Sequence, residues 1–135
     1  MNYAGDVTPT EAFRLLTEEP DVVLVDVRTP AEWTYVGLPN LAAIGKQVVT
    51  ASWHQHLTPT ELAQMLESAG VERTDQVLFL CRSGQRSQYA AALATSAGFT
   101  QAHNVSAGFE GNQDQNGQRG HLAGWKFDGL PWRQS

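Results

Sequence analysis

The chain has 135 residues, of which 41% are hydrophobic and 17% charged, so it holds one domain's worth of sequence with enough apolar content for a core. Its 9 Lys+Arg against 14 Asp+Glu leave a net charge of −5, which argues against general binding to nucleic acid or to an anionic membrane. A single cysteine, Cys81, excludes an intrachain disulfide and zinc sites built on paired cysteines. No apolar run approaches the roughly 18 residues of a membrane span, and Met1 to Asp6 lacks the basic and apolar regions of a signal peptide. These features predict a soluble, cytoplasmic domain over residues 1–135.

Thr8-Pro9-Thr10-Glu11 opens a helix: Thr8 caps the free amides, Pro9 fits the first helical position, and Glu11 stands where a capping box needs it. Ala12, Phe13, Leu15 and Leu16 follow at helical spacing, and Pro20 ends the helix near Glu19. Val22 to Val25 is a β-branched apolar run, the pattern of a strand buried on both faces. Asp26-Val27-Arg28 lies at its C-terminal end, and Thr29 to Trp33 reads as a short turn or helix. For the next segment, either Ala42-Ala43-Ile44 or Gln47-Val48-Val49 is the strand candidate. The helix signal then repeats at Thr58-Pro59-Thr60-Glu61, with Leu62, Met65, Leu66 and Ala69 on one face and Gly70 as its stop.

Val77 to Leu80 is the second fully buried strand, and it runs into Cys81. Gln88 to Ala97 is an alanine-rich helix, and Ala102 to Val105 a third strand. Residues 110–120 hold three Gly, three Gln, two Asn and no apolar residue, which predicts a polar surface insertion, flexible or looped. Residues 121–135 form a C-terminal tail whose tryptophans Trp125 and Trp132 tie it to the core. Helices alternating with apolar strands predict an α/β domain with a mostly parallel sheet. Ligands of such sheets sit beyond the carboxyl ends of the strands. Asp26-Val27-Arg28 and Cys81 both fall at that edge.

The segment Cys81-Arg82-Ser83-Gly84-Gln85-Arg86-Ser87 carries the chemistry. A loop that enters a helix N-terminus turns free backbone N–H groups inward and makes an anion cradle. The helix dipole and Arg82 or Arg86 favour thiolate over thiol, and Gly84 lets the backbone bend tightly. A thiolate so placed is a nucleophile toward anionic, electrophilic sulfur or phosphorus. The bland alternative is that Cys81 is a small buried hydrophobe at a strand end. The arginines and the glycine within five residues of it favour the site.

Cys81-Arg82-Ser83-Gly84-Gln85-Arg86 resembles the six-residue active-site loop of the rhodanese sulfurtransferases. Asp26-Val27-Arg28 with Glu32-Trp33 resembles the upstream motif of that family. Val105 to Phe109 is similar to its strand-then-glycine segment, and Gly129-Leu130-Pro131-Trp132 to its usual ending. The resemblance covers nearly the whole chain. It implies a five-stranded mostly parallel sheet with helices on both faces. It also implies a mechanism in which Cys81 takes the outer sulfur of a donor such as thiosulfate as a persulfide and passes it to cyanide, a thiol or a partner protein. No cofactor is implied. Residues 82–87 would cradle the sulfur, with basic Arg82 and Arg86 favouring a dianionic donor. Asp26 and Arg28 are expected as an ion pair fixing the sheet edge, or else as groups orienting the loop or binding donor. Glu32 is expected to brace the loop, through Arg86, rather than to act as an acid or base.

The sequence departs from the family at Val36-Gly37-Leu38-Pro39-Asn40-Leu41, which lacks the usual histidine, and at residues 45–57, which match no assignable pattern. His54 and His56 have the spacing of a metal pair on an extended segment. No Cys, Asp or Glu lies within that stretch, so they are read as loop or surface histidines and no metal is expected. Two other functions stay open. A thiol phosphatase or arsenate reductase also uses a Cys–cradle–Arg loop, but with five intervening residues, where four separate Cys81 from Arg86. A rhodanese-like partner-binding or sulfur-carrier module needs no turnover of its own. Since Cys81 is read as a loop residue, Cys81→Ser is expected to abolish turnover with little effect on stability.

Overall fold

The computed structural model describes residues 1–134. The chain order is β1 (Gly5–Val7), α1 (Pro9–Glu18), β2 (Val22–Asp26), α2 (Pro30–Tyr35), β3 (Leu38–Pro39), a 3₁₀ turn (Ala42–Ile44), β4 (Val49–Thr50), α3 (Pro59–Ser68), β5 (Gln76–Leu80), α4 (Gln85–Ser96), β6 (Gln101–Val105) and β7 (Trp132–Arg133). Five strands form one sheet in the order β1-β6-β5-β2-β4, and every pairing in it is parallel.

The central strands β2 and β5 are apolar on both faces because helices cover both. Val25, Val77 and Phe79 face Leu62, Leu66 and Ala90 of α3 and α4. Leu24, Leu78 and Leu80 face the other way, against Ala12 and Leu16 of α1 and against Phe109 and Trp125. The alternation carries one residue past β5, so the Cys81 side chain joins the α3/α4 layer.

The repeated Thr-Pro-x-Glu signal works as its chemistry predicts. Thr29 and Thr58 form full capping boxes with Glu32 and Glu61, whereas at α1 only the Thr8 half forms. Two readings need correction. Ala42-Ala43-Ile44 is a 3₁₀ turn and not a strand, and the edge strand is Val49–Thr50, overlapping the second candidate. β1 was not foreseen, because Val7 is the one strongly apolar residue in it.

The 110–120 segment holds specific internal turns. Asp114 accepts from the N–H groups of Asn116 and Gln118 at 2.8 and 3.0 Å and contacts His121 Nδ1 at 2.9 Å. Arg119 donates to the Gly111 carbonyl at 2.8 Å. The tail is tied down by Trp125, which is fully buried and donates its Nε1–H to the Pro131 carbonyl at 2.7 Å. Trp132 is 40% exposed and sits in β7, which pairs antiparallel with β3. No helix of the described residues is long and apolar enough to cross a membrane.

Candidate active site

Cys81 leaves the carboxyl end of β5 and the next three residues turn into α4. Gly84 is the cap residue of that helix, with φ of +100°, and a Cβ there would collide with the Ser106 carbonyl oxygen. Gly108, with φ of +66°, lies on the opposite side of the same contact, where a Cβ would come within 2.6 Å of the Cys81 and Arg82 carbonyl oxygens. The two glycines let the 81–84 loop and the 106–111 segment lie backbone against backbone.

That contact decides the polarity of the loop. Phe109 N–H donates to the Cys81 carbonyl at 2.8 Å, and Glu110 and Gly111 N–H donate to the Arg82 carbonyl at 2.9 and 3.1 Å. The carbonyls are thereby drawn to one side. Gly84 N–H points to Cys81 Sγ at 3.1 Å. No backbone carbonyl among the described residues accepts the N–H of Arg82, Ser83, Gln85 or Arg86. Free donors at the start of a helix, beside a sulfur, suit a negative charge on that sulfur or on an atom bound to it.

Cys81 is only 1% exposed and packs in the α3/α4 layer. The expectation that it is a loop residue without a packing role is therefore wrong: it is both the last core residue of β5 and the first residue of the loop. Its second neighbour is Ser87, whose Oγ lies 3.2 Å from Sγ and 2.5 Å from Asn104 Oδ1.

The arginines divide their work. Arg86 donates to Glu32 through both terminal nitrogens, at 2.8 and 3.0 Å, which pins the first turn of α4 to α2. Burial pushes the Glu32 carboxyl up, but the hydrogen bonds and charge of Arg86, with help from Thr29, outweigh it and hold the group at about 2. The hydrogen bond to Glu32 raises the Arg86 guanidinium above its ordinary value against the opposing effect of burial, and the charges of Glu32, Cys81 and Asp26 add to the rise. Arg82 is exposed and has no ion pair among the described residues.

Asp26 and Arg28 are fully buried and paired with each other, Nη2 to Oδ2 at 2.7 Å. Arg28 Nη2 also donates to the Gly37 carbonyl at 2.7 Å, and the guanidinium lies 4.3 Å over the Phe109 ring. The pair joins the end of β2 to the segment before β3 and, through Phe109, to the segment that packs against the 81–84 loop. Of the residues singled out in the sequence, Cys81, Gly84, Arg86, Ser87 and Glu32 converge directly, while Asp26 and Arg28 support them from beneath. Gln85 and Ser83 make no side-chain hydrogen bond among the described residues. Among the described residues, no cluster of three or more His, Cys, Asp or Glu side chains is placed to hold a metal.

Asn104 was not foreseen as part of the site. Its sequence signal was weak, an amide near the carboxyl end of the mixed strand Gln101–Val105, and its burial at 3% exposure is decided by the tertiary packing.

The model of a family described as the STR4 middle domain matches residues 4–135. An uncharacterized protein of Rickettsia conorii is 36% identical over 128 residues, covering 95% of this chain and 96% of its own. A thylakoid rhodanese-like protein of Oryza sativa is 30% identical over 129 residues, 95% of this chain but 25% of that longer protein. A protein of Allochromatium vinosum named sulfurtransferase is 28% identical over 116 residues, 86% of this chain and 82% of its own. A crystal structure of a Mycobacterium tuberculosis protein superposes with a TM-score of 0.86 at 47% identity, covering 99% of this chain and 100% of that one.

Proposed function

The chain belongs to the rhodanese-like domains of the sulfurtransferase-type family, and on that premise we propose that it moves a sulfane sulfur through a persulfide on Cys81. The Cys81 thiolate attacks the outer sulfur of thiosulfate. A bond forms between Sγ and that sulfur, the S–S bond of the donor breaks, and its electron pair leaves with sulfite. The terminal sulfur of the persulfide then takes the negative charge. An acceptor nucleophile attacks that sulfur, and Cys81 leaves as thiolate. Cyanide gives thiocyanate, and a thiol gives a new persulfide. Each half-reaction conserves charge, and neither needs an oxidant.

The observation that carries this reading is the one-sided loop. Gly84 N–H on Sγ, with further N–H groups of the same turn that no backbone carbonyl among the described residues accepts, gives donors for a terminal sulfur anion and requires no added base. Arg82 supplies an unneutralised charge for an anionic donor. The chain has no second cysteine, so the persulfide is discharged to an external acceptor, a small thiol or a protein thiol. A phosphatase reading is weakened twice, by the four-residue spacing and by the bidentate hold of Glu32 on Arg86, which takes that arginine away from a phosphoryl group. A partner-binding module is the second reading, favoured by the 1% exposure of Cys81.

The test is mass spectrometry after thiosulfate treatment. The expected result is the mass of one added sulfur on Cys81, lost again on adding cyanide with release of thiocyanate. A folded protein that takes up no sulfur supports the binding module and refutes the enzyme.

A further inference from the structure

We infer that Asp6, acting through Asn104 and Ser87, sets the proton affinity of the Cys81 sulfur by fixing which way the Ser87 hydroxyl points. The four side chains come from β1, β6, α4 and the end of β5. Asp6 and Asn104 are register partners on adjacent parallel strands, so their side chains leave the same face. Asn104 Nδ2 donates to Asp6 Oδ1 at 3.2 Å. The same oxygen accepts the Tyr3 hydroxyl at 3.0 Å. An ionised carboxylate only accepts, so the NH₂ end of the amide is turned to Asp6 and its oxygen to Ser87.

Ser87 is fully buried and has one proton for two neighbours, Asn104 Oδ1 at 2.5 Å and Cys81 Sγ at 3.2 Å. The amide oxygen has only lone pairs to offer. The proton is therefore committed to Asn104, and Ser87 turns a lone pair toward the sulfur. A lone pair accepts from S–H and opposes S⁻, whereas the Gly84 N–H does the reverse. The sulfur lies between one neighbour that favours the neutral thiol and one that favours the anion. To serve the anion, Ser87 must desert Asn104 and leave a buried oxygen unpaired, or Asn104 must flip and set its oxygen against the Asp6 carboxylate. Both are unfavourable while Asp6 is charged.

Asp6→Asn removes the obstacle without removing a hydrogen bond. The new amide donates to Asn104 Oδ1, Asn104 Nδ2 donates to Ser87 Oγ, and the Ser87 proton passes to the sulfur. Asp6 is thus a positioning residue, exposed at the surface and coupled to a buried nucleophile. Other charged groups near the sulfur are Arg82 and Arg86 of its own loop and helix, Glu32 of α2 behind Arg86, and Asp26 and Arg28 at the end of β2. None of them is altered in the variants below. The inference rests on Cys81 being the reactive group of the proposed function, but its test reads the thiol alone, so failure of sulfur loading and failure of this relay are separate results.

The experiment is the pH dependence of Cys81 alkylation by iodoacetamide in the full chain, followed by intact mass. Asp6→Asn is expected to move the midpoint to lower pH and to raise the rate at neutral pH about 3- to 10-fold, the effect of a half to a full pH unit. Asn104→Ala, which strips Ser87 of its acceptor, is expected to move it the same way. In a Ser87→Ala background, where the relay is cut, Asp6→Asn is expected to change the rate less than about 2-fold. An unchanged or raised midpoint in folded Asp6→Asn overturns the relay. So does an equal shift with and without Ser87, which is the signature of a charge acting through space.

Discussion

Glu32→Gln isolates the charge that pins the first turn of α4, next to Cys81, to α2. The glutamine keeps an oxygen for the Thr29 N–H and for one Arg86 nitrogen, so the cap and the shape survive while the ion pair goes. The Glu32 carboxyl is held at about 2 against an ordinary 4.5, which on full conversion is about 3 kcal/mol. Its side chain is 20% exposed and that of Arg86 26%, so water screens part of this and about 2 kcal/mol is expected at neutral pH. For a chain of 135 residues that lowers the melting temperature by about 7 °C. A depressed acid gives stability that is present in full above its unfolded value and is lost as pH falls through its folded one. The gap between wild type and variant is therefore constant from neutrality down to about pH 5 and closes between about 4.5 and 2. Thermal melts by circular dichroism across that range provide the assay. A variant as stable as wild type at pH 7, or a gap that persists undiminished near pH 2, would refute the view that this charge pair holds α4 to α2.

Cys81→Ser is expected to take up no sulfur from thiosulfate, and its stability to fall by about 1 kcal/mol in denaturant titrations because the side chain is packed in the core. Gly84→Ala is expected to lose sulfur loading and about 3 kcal/mol or more, since the backbone is left-handed there and the new methyl meets the Ser106 carbonyl. Arg28→Met leaves Asp26 as a buried uncompensated charge and costs about 3–5 kcal/mol, and adding Asp26→Asn recovers much of it. A double-mutant cycle on unfolding free energies checks that recovery.

The architecture was legible where one residue type decides an element. Pro9, Pro30 and Pro59 each stand at the first position of a helix behind a capping threonine, and the apolar runs at Val22 and Val77 became two of the three interior strands. Edge strands were hidden for a physical reason. β1 and β4 are three and two residues long and gain most of their stability from pairing with a neighbour, which leaves little hydrophobic period to read. The 110–120 segment shows the converse limit: its composition predicts a loop, but the Asx turn at Asp114 and the Arg119 bond to Gly111 are decided by geometry.

In the site, the sequence displayed the contents of the loop and concealed what shapes it. Cys81, Gly84 and Arg86 lie within six residues, so their chemistry can be read together. Glu32, Ser106, Gly108 and Asn104 reach the same loop from distant segments, 54 residues away for Glu32 and 17 for Asn104, and Asp6 is joined to it only through Asn104; all but the Glu32 contact are made through or against backbone or a neutral amide, where charge counting sees nothing. This alters the electrostatic argument as well. Two arginines beside a cysteine suggest a cationic pocket, yet Arg86 is neutralised by Glu32, and Arg28 by Asp26. What the structure sets on the sulfur from the backbone is the Gly84 N–H, in a turn that the Arg86–Glu32 pair holds to α2, while Arg82 has no ion pair among the described residues. Under the proposed function, backbone N–H groups fixed in that turn would favour a charge that arises on a single sulfur atom without binding every passing anion, as an unpaired guanidinium pair would. On the proposed function, the ion pairs would act on the chemistry through the backbone they fix. Exchanging Arg86 for lysine, which keeps the charge and loses the fork, should damage sulfur loading nearly as much as removing the charge.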